Sequence, residues 1–354
     1  MTRRTQDRYL GCLLGGAVGD ALGAAVEFSS LMEIRARFGP RGLTDYAEAY
    51  GRQGAITDDT QMTLFTAEAL LRAESRGLVR GICAPVDMAR SAYLRWLHTQ
   101  GFPYPEGAGE RGWLVEQRGL HVERAPGNTC LSALRAGGRG RPGEPLNDSK
   151  GCGGVMRMAP VGLVAPGMLE PLVEGCAFAA LTHGHPTGYL AAGLFARVVY
   201  ELCQGRELRE AVETSLVLLE RYDPGHGETT DAVRRALTLA DSSGGTAEEV
   251  ESLGQGWVAE EALAIGLHCA LVARDFEHGV LLAVNHGGDS DSTGCVAGNI
   301  LGLIHGVSVI PTTWRFRLEL RDVIEQLARD LWRRFGDGDG RPGEGVDLER
   351  YPPS

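Results

Sequence analysis

No two of the eight cysteines, at 12, 83, 130, 152, 176, 203, 269 and 295, form a C-x-x-C pair, and their spacing fits no zinc pattern. They read as small hydrophobes on helical faces, kept as reduced thiols. No apolar run approaches the roughly 18 residues that a membrane helix needs. Positive charge is in deficit: 35 Lys and Arg stand against 46 Asp and Glu, a net −11. That excludes non-specific nucleic-acid binding, which needs a basic footprint. It leaves room for a small anionic substrate held locally by a metal or by backbone N–H groups. The alternating Val, Ile, Thr and aromatic runs of strands are missing, and no internal repeat is visible. Met1-Thr2-Arg3-Arg4 leads into an amphipathic helix rather than a signal-peptide apolar region. The chain reads as a cytoplasmic monomer without a membrane partner.

What is abundant is glycine, 50 of 354 residues or about twice the average usage, without the period of collagen. Leu10, Leu13, Leu14, Ala17, Val18, Ala21, Leu22 and Ala25 make a helical stripe. Gly11, Gly15, Gly16, Gly19 and Gly23 lie along the same helix, each costing about 1 kcal/mol against alanine. So many in one helix imply close packing or a ligand against the backbone. Further helices are expected at 57–73, 86–99, 128–136, 170–183, 187–204, 207–221, 229–241, 258–273, 276–285, 291–305 and 313–334. The stretches 101–112 and 137–150 read as loops. No linker separates two compositions, so the expectation is one all-α domain over 1–335, with 336–354 a flexible C-terminal tail.

Four clusters carry chemical meaning. Thr57-Asp58-Asp59-Thr60 opens an apolar helix. Ordinary capping explains one aspartate there well and two adjacent ones less well. Gly287-Gly288-Asp289-Ser290-Asp291-Ser292-Thr293-Gly294 opens another. Its start mimics a calcium EF-hand loop, but the twelfth position holds Ile300 where a bidentate Glu is required. Four carboxylates and several hydroxyls brought together would repel unless a cation neutralised them. Hard oxygen donors select Mg²⁺, Mn²⁺ or Ca²⁺ over Zn²⁺, and two such clusters suit a two-metal site. Asp148-Ser149-Lys150-Gly151-Cys152-Gly153-Gly154 is a glycine-rich loop able to face a phosphate. It lacks the Walker ending, and a plain turn is an equal reading. The G-x-G-x-x-G matches at 138–143 and 338–343 follow no strand and are discarded. Last come Thr182-His183-Gly184-His185-Pro186, helix-end histidines by default. Neither G-x-S-x-G nor H-E-x-x-H occurs.

In this order the four clusters resemble the ADP-ribosylglycohydrolase family, relatives of dinitrogenase reductase-activating glycohydrolase. The matching pieces are 15–24 with Glu27-Phe28, then 57–60, Gly127-Asn128-Thr129, 151–160, 182–186 and 287–293, a resemblance spanning 8–306. It implies a compact multi-helix domain with a binuclear centre of two Mg²⁺ or Mn²⁺ ions. It also implies hydrolysis of the bond joining ADP-ribose to an acceptor on a protein or small molecule. By position, Thr57, Asp58, Asp59, Asp289, Asp291 and Ser292 look like metal ligands. Asn128, Ser149, Gly151, Cys152, Gly153, Gly154 and His183 fall where the family holds phosphates and ribose. Asp59 and Glu27 are the candidates for proton transfer. Tyr222 is a candidate to stack on adenine, against the plainer reading of a surface tyrosine. Protein arginine is the leading acceptor; serine, a nucleobase or a free ADP-ribose derivative are alternatives, as are a nucleotide phosphohydrolase and a non-catalytic ADP-ribose binder.

Overall fold

A computed structural model describes residues 4–164, 169–242, 244–337 and 346–353. Its centre is an antiparallel pair, the Gln6–Gly23 helix against the Ser290–His305 helix. Both are buried along almost their whole length. An alanine Cβ at Gly11, Gly15 or Gly19 would lie 2.1, 2.3 or 1.9 Å from the carbonyl oxygen of Gly302, Gly298 or Gly294. The glycines of one helix face those of the other, and the backbones touch with no side chain between them. Asn299 reinforces the pair by donating from Nδ2 to the Cys12 carbonyl at 2.8 Å. The remaining helices wrap this pair. Asp58–Arg80, Ala259–Leu271, Phe276–Val284 and Arg321–Phe335 pack directly on it. Pro171–Ala180 packs on Pro186–Cys203 further out.

The all-α expectation holds. The one sheet among the described residues is a two-residue pairing of Glu48–Ala49 with Arg52–Gln53. The helix expected over 313–334 is two, Thr312–Arg317 and Arg321–Phe335. The break comes at Glu319 and Leu320. Glu319 donates its N–H to the Gly54 carbonyl at 2.9 Å and takes Arg124 at 3.2 Å, while Leu320 sits at φ +53°. A buried ion pair with the chain 195 residues earlier overrides the local helical pattern. Two short helices, Leu31–Phe38 and Ala247–Glu251, were not expected; both start with a capping box, Ser30 with Glu33 and Thr246 with Glu249.

The tail expected from 336 onward is different at its described end. Tyr351 is fully buried, and its hydroxyl donates to Asp330 Oδ2 at 2.8 Å beside Arg350 on the same carboxylate. A buried aromatic needs such a partner for its hydroxyl, and Asp330 on the last long helix supplies it. The residues 338–345 lie outside the described residues. Tyr351→Phe should cost about 1 kcal/mol in urea unfolding, the worth of that hydrogen bond. No change in midpoint would show the contact contributes nothing.

Candidate active site

Asp20, in the last turn of the first helix, is fully buried. Its carboxylate accepts from the Thr57 N–H at 3.0 Å, the Thr60 N–H at 3.1 Å and the Thr60 hydroxyl. It therefore ties the start of the Asp58–Arg80 helix to the glycine-packed pair. Thr57 caps that helix, its Oγ1 accepting from the Asp59 N–H at 3.3 Å. Across the site Asp289 caps the Ser290–His305 helix, accepting from the Ser292 N–H at 3.3 Å. Two helix N-termini thus bring their positive ends and their first-turn carboxylates to one place.

A cavity of about 600 Å³ opens there. Asp58, Asp59, Asp289, Asp291, Ser292 and Glu27 share its lining. One oxygen each of Glu27, Asp289 and Asp291 lies within 4.8 Å of the others. Glu27 Oε2 and Asp59 Oδ1 are buried without a hydrogen-bond partner. Burial and mutual repulsion push every one of these carboxyls upward: Asp58, Asp59 and Asp289 well above the carboxylate range, Glu27 to about 11, and Asp20 to about 7. Orphaned hard oxygens in an acidic pocket fit a divalent cation, so the cluster could hold a metal ion. Glu27, read from the sequence as a proton-transfer group, falls inside this cluster. Thr57 is buried behind Asp59 and does not line the cavity.

The glycine loop faces the same cavity. Gly151, Cys152, Gly153 and His183 line it, and Asn128 borders it from the start of the Asn128–Arg135 helix. Ser149 stands behind the loop, bonded to Thr129 Oγ1 at 3.0 Å and accepting from the Gly151 N–H at 3.3 Å. Gly154 is buried against Ala179 and Gly188. His183 sits under Gly151 and Gly153, its Nδ1 paired with Thr182 Oγ1 at 2.9 Å. Burial and the nearby Arg157 lower its pKa to about 3, so the ring is neutral. Cys152 links the loop to the acidic cluster, its thiol donating to Asp289 Oδ2 at 2.6 Å. His185 is only a helix cap, accepting from the Thr187 N–H at 3.2 Å. Tyr222 ends the Leu208–Tyr222 helix outside the cavity lining, as a surface tyrosine would.

The functional residue that sequence reasoning passed over is Asp20. Its signal was present, the one acid in the otherwise apolar and glycine stretch from Leu10 to Gly23. Asp20→Ala leaves two buried N–H groups unpaired, at about 1–3 kcal/mol each. It should also weaken Mn²⁺ binding about 10–100-fold, the usual effect of removing a group that orients ligands. Calorimetric titration with Mn²⁺ reads this, and unchanged affinity in a folded variant would remove Asp20 from the site.

Rising pH should destabilise the metal-free protein. These carboxyls have folded-state pKa values above their unfolded ones, so the folded state binds more protons. Their contribution is intact below about pH 4 and is lost as pH rises, Asp20 through about 7. Each group costs about 1.4 kcal/mol per pH unit across its window. Melting curves with chelator at pH 5 and pH 8 test the sign, and a higher midpoint at pH 8 would contradict it.

The fold and this arrangement define a member of a known class. The ADP-ribosylglycohydrolase family model matches residues 1–340, and the chain belongs to that family. It is 30% identical over 321 residues to the ADP-ribosyl-[dinitrogen reductase] glycohydrolase of Rhodospirillum rubrum, covering 89% of this chain and 91% of that protein. It is 25% identical to the ADP-ribosylarginine hydrolase Tri1 of Pseudomonas putida, covering 93% and 78%. A solved structure titled as an ADP-ribosylglycohydrolase-related protein complex matches with a TM-score of 0.65 at 29% identity, covering 93% and 98%. Membership supports a hydrolase of ADP-ribose linkages. Among the described residues, no helix is long and apolar enough to cross a membrane.

Proposed function

We propose that this chain is a metal-dependent hydrolase that cleaves the bond between ADP-ribose and the side chain of a protein arginine. One observation carries the reading: a single cavity is lined both by carboxylates with unpartnered oxygens and by a glycine-rich loop. An ADP-ribose needs both, a loop for its diphosphate and a carboxylate cluster for its distal ribose. The similarity to an ADP-ribosylarginine hydrolase supports the acceptor.

Asp58, Asp59, Asp289 and Asp291, with Glu27 and Ser292 beside them, would hold two Mg²⁺ or Mn²⁺ ions. When bound, these would neutralise the carboxylates, fix the ribose hydroxyls and lower the pKa of a water. Gly151 and Gly153, on either side of Cys152, would present backbone to the diphosphate with no Cβ in the way. Neutral His183 behind them adds a hydrogen bond without competing charge. The anomeric carbon passes through an oxocarbenium-like transition state, so the developing positive charge is stabilised by the surrounding carboxylates. Glu27 or Asp59, each with a buried unpartnered oxygen, takes the proton from water and returns it to the departing nitrogen.

The test is release of free ADP-ribose from arginine-linked and serine-linked peptides, with Mg²⁺, with Mn²⁺ and with chelator. Release from the arginine peptide that stops with chelator is expected. Release from the serine peptide alone would move the acceptor. A folded protein that binds ADP-ribose and releases none from either peptide would reassign it as a binder.

A further inference from the structure

A second hollow adjoins the cavity. It is lined by Glu27, Phe28, Glu33, Glu251 and Trp257 and holds about 390 Å³. Glu27, Phe28 and Trp257 belong to both spaces. Phe28 and Trp257 stack with ring centroids 5.7 Å apart and planes 16° from parallel. They do so in the open, Phe28 being 74% and Trp257 38% exposed. Large aromatics left in water at a cavity mouth ask for an occupant. Both are held in place. Phe28 follows Glu27 in the chain, and the Trp257 carbonyl accepts from the Cys152 N–H of the glycine loop at 3.2 Å.

The charge around the pair has one sign. Glu33 is pinned by the Ser30 N–H at 2.8 Å, and Glu251 by the Gly287 N–H at 3.0 Å. Among the described residues, no Lys or Arg lines the hollow. On the neighbouring face Arg35 is paired to Glu248. π faces and carboxylates together favour a flat, weakly hydrated cation over a hydroxyl or an ammonium. The geometry points to an acceptor subsite in this hollow, in which Phe28 and Trp257 take the guanidinium of an arginine side chain while ADP-ribose fills the inner cavity. Glu27 stands on the shared wall, where the bond between the two parts would lie. The inference rests on the proposed function for what fills the inner cavity, and it makes the aromatic pair a determinant of acceptor choice.

The experiment titrates agmatine, a free guanidinium, and putrescine, the same chain ending in an ammonium, into the Mn²⁺-loaded protein saturated with ADP-ribose. Calorimetry is run on the wild type, Phe28→Ala, Trp257→Ala and Trp257→Phe. Both side chains are exposed, so the folded core is left alone. Agmatine should bind more tightly than putrescine. Each alanine variant should weaken agmatine about five- to thirty-fold, the span of a cation–π contact. Trp257→Phe should recover part of the loss, and agmatine affinity should fall by more than ADP-ribose affinity in every variant, since both rings also border the inner cavity. The kcat/KM for an arginine-linked peptide should fall in parallel with agmatine affinity. Equal binding of the two amines, or agmatine affinity untouched by both alanine variants, overturns the subsite. So does an equal loss of ADP-ribose binding, which would assign the pair to the inner cavity. If agmatine binds as expected but the wild type releases no ADP-ribose, the hydrolase reading fails and the subsite stands.

Discussion

Asp58→Ala and Asp291→Ala should each lower ADP-ribose release at least about 100-fold while leaving the protein folded. Asp58 enters from the start of one helix and Asp291 from the first turn of another, and both face the cavity. Removing either takes a hard oxygen from the cluster that would fix the ribose. The stability effect runs the other way. Asp291 raises the proton affinity of Asp58, Asp59 and Asp289, so in the metal-free protein it is a source of repulsion. Asp291→Ala should therefore melt at or above the wild type in chelator. With Mn²⁺ the order should reverse, because the wild type gains binding energy, about 2.7 kcal/mol at a hundredfold excess over the dissociation constant, and the variant does not. Crossing melting curves together with lost activity are the signature of a functional cluster. Retention of a tenth of the activity in both variants would take the cluster out of the reaction.

Gly15→Ala should destabilise the protein by about 3 kcal/mol or more, at the upper end of what overpacking costs. The added Cβ falls 2.3 Å from the Gly298 carbonyl oxygen, a backbone atom that cannot swing aside. The two central helices must separate instead, and Asp20 and Asp291 separate with them. Activity should fall further than the fraction unfolded explains. Gly77→Ala is the contrast, because its Cβ meets nothing within 4 Å in the interior of the Asp58–Arg80 helix. That change should stabilise by up to about 1 kcal/mol. Denaturant midpoints for the two proteins settle both signs, and a wild-type midpoint for Gly15→Ala would mean the helices are not in contact.

The helical class and most helix positions were legible because amphipathic spacing is local. The glycines at 11, 15 and 19 announced close packing, but their partners at 302, 298 and 294 could not be paired by spacing alone. The Ser30 and Thr246 capping boxes were written in the sequence and mark two of the short helices that periodicity missed. The break at Leu320 was not legible, since it depends on Arg124 reaching Glu319. At the site, the paired aspartates were readable as carboxylates at helix starts. The convergence of Glu27 on Asp289 and Asp291, a contact across more than 250 residues, could be expected only through the family resemblance and not from spacing. Phe28 and Trp257 gave no signal either. A single aromatic in a loop means little until its stacking partner arrives from the far end of the chain.

The glycine-packed pair also sets a schedule. Gly19 leaves the ribosome about 270 residues ahead of the Gly294 it must touch, a delay of about 15–50 s at ordinary rates of synthesis. Through that interval the first helix has no partner for its glycine face, and Asp20 has no Asp291 beside it. The acidic cluster therefore comes into being only once Asp291 has been made. A product stalled before that point would carry the 57–60 aspartates without the second set of carboxylates that completes the cluster.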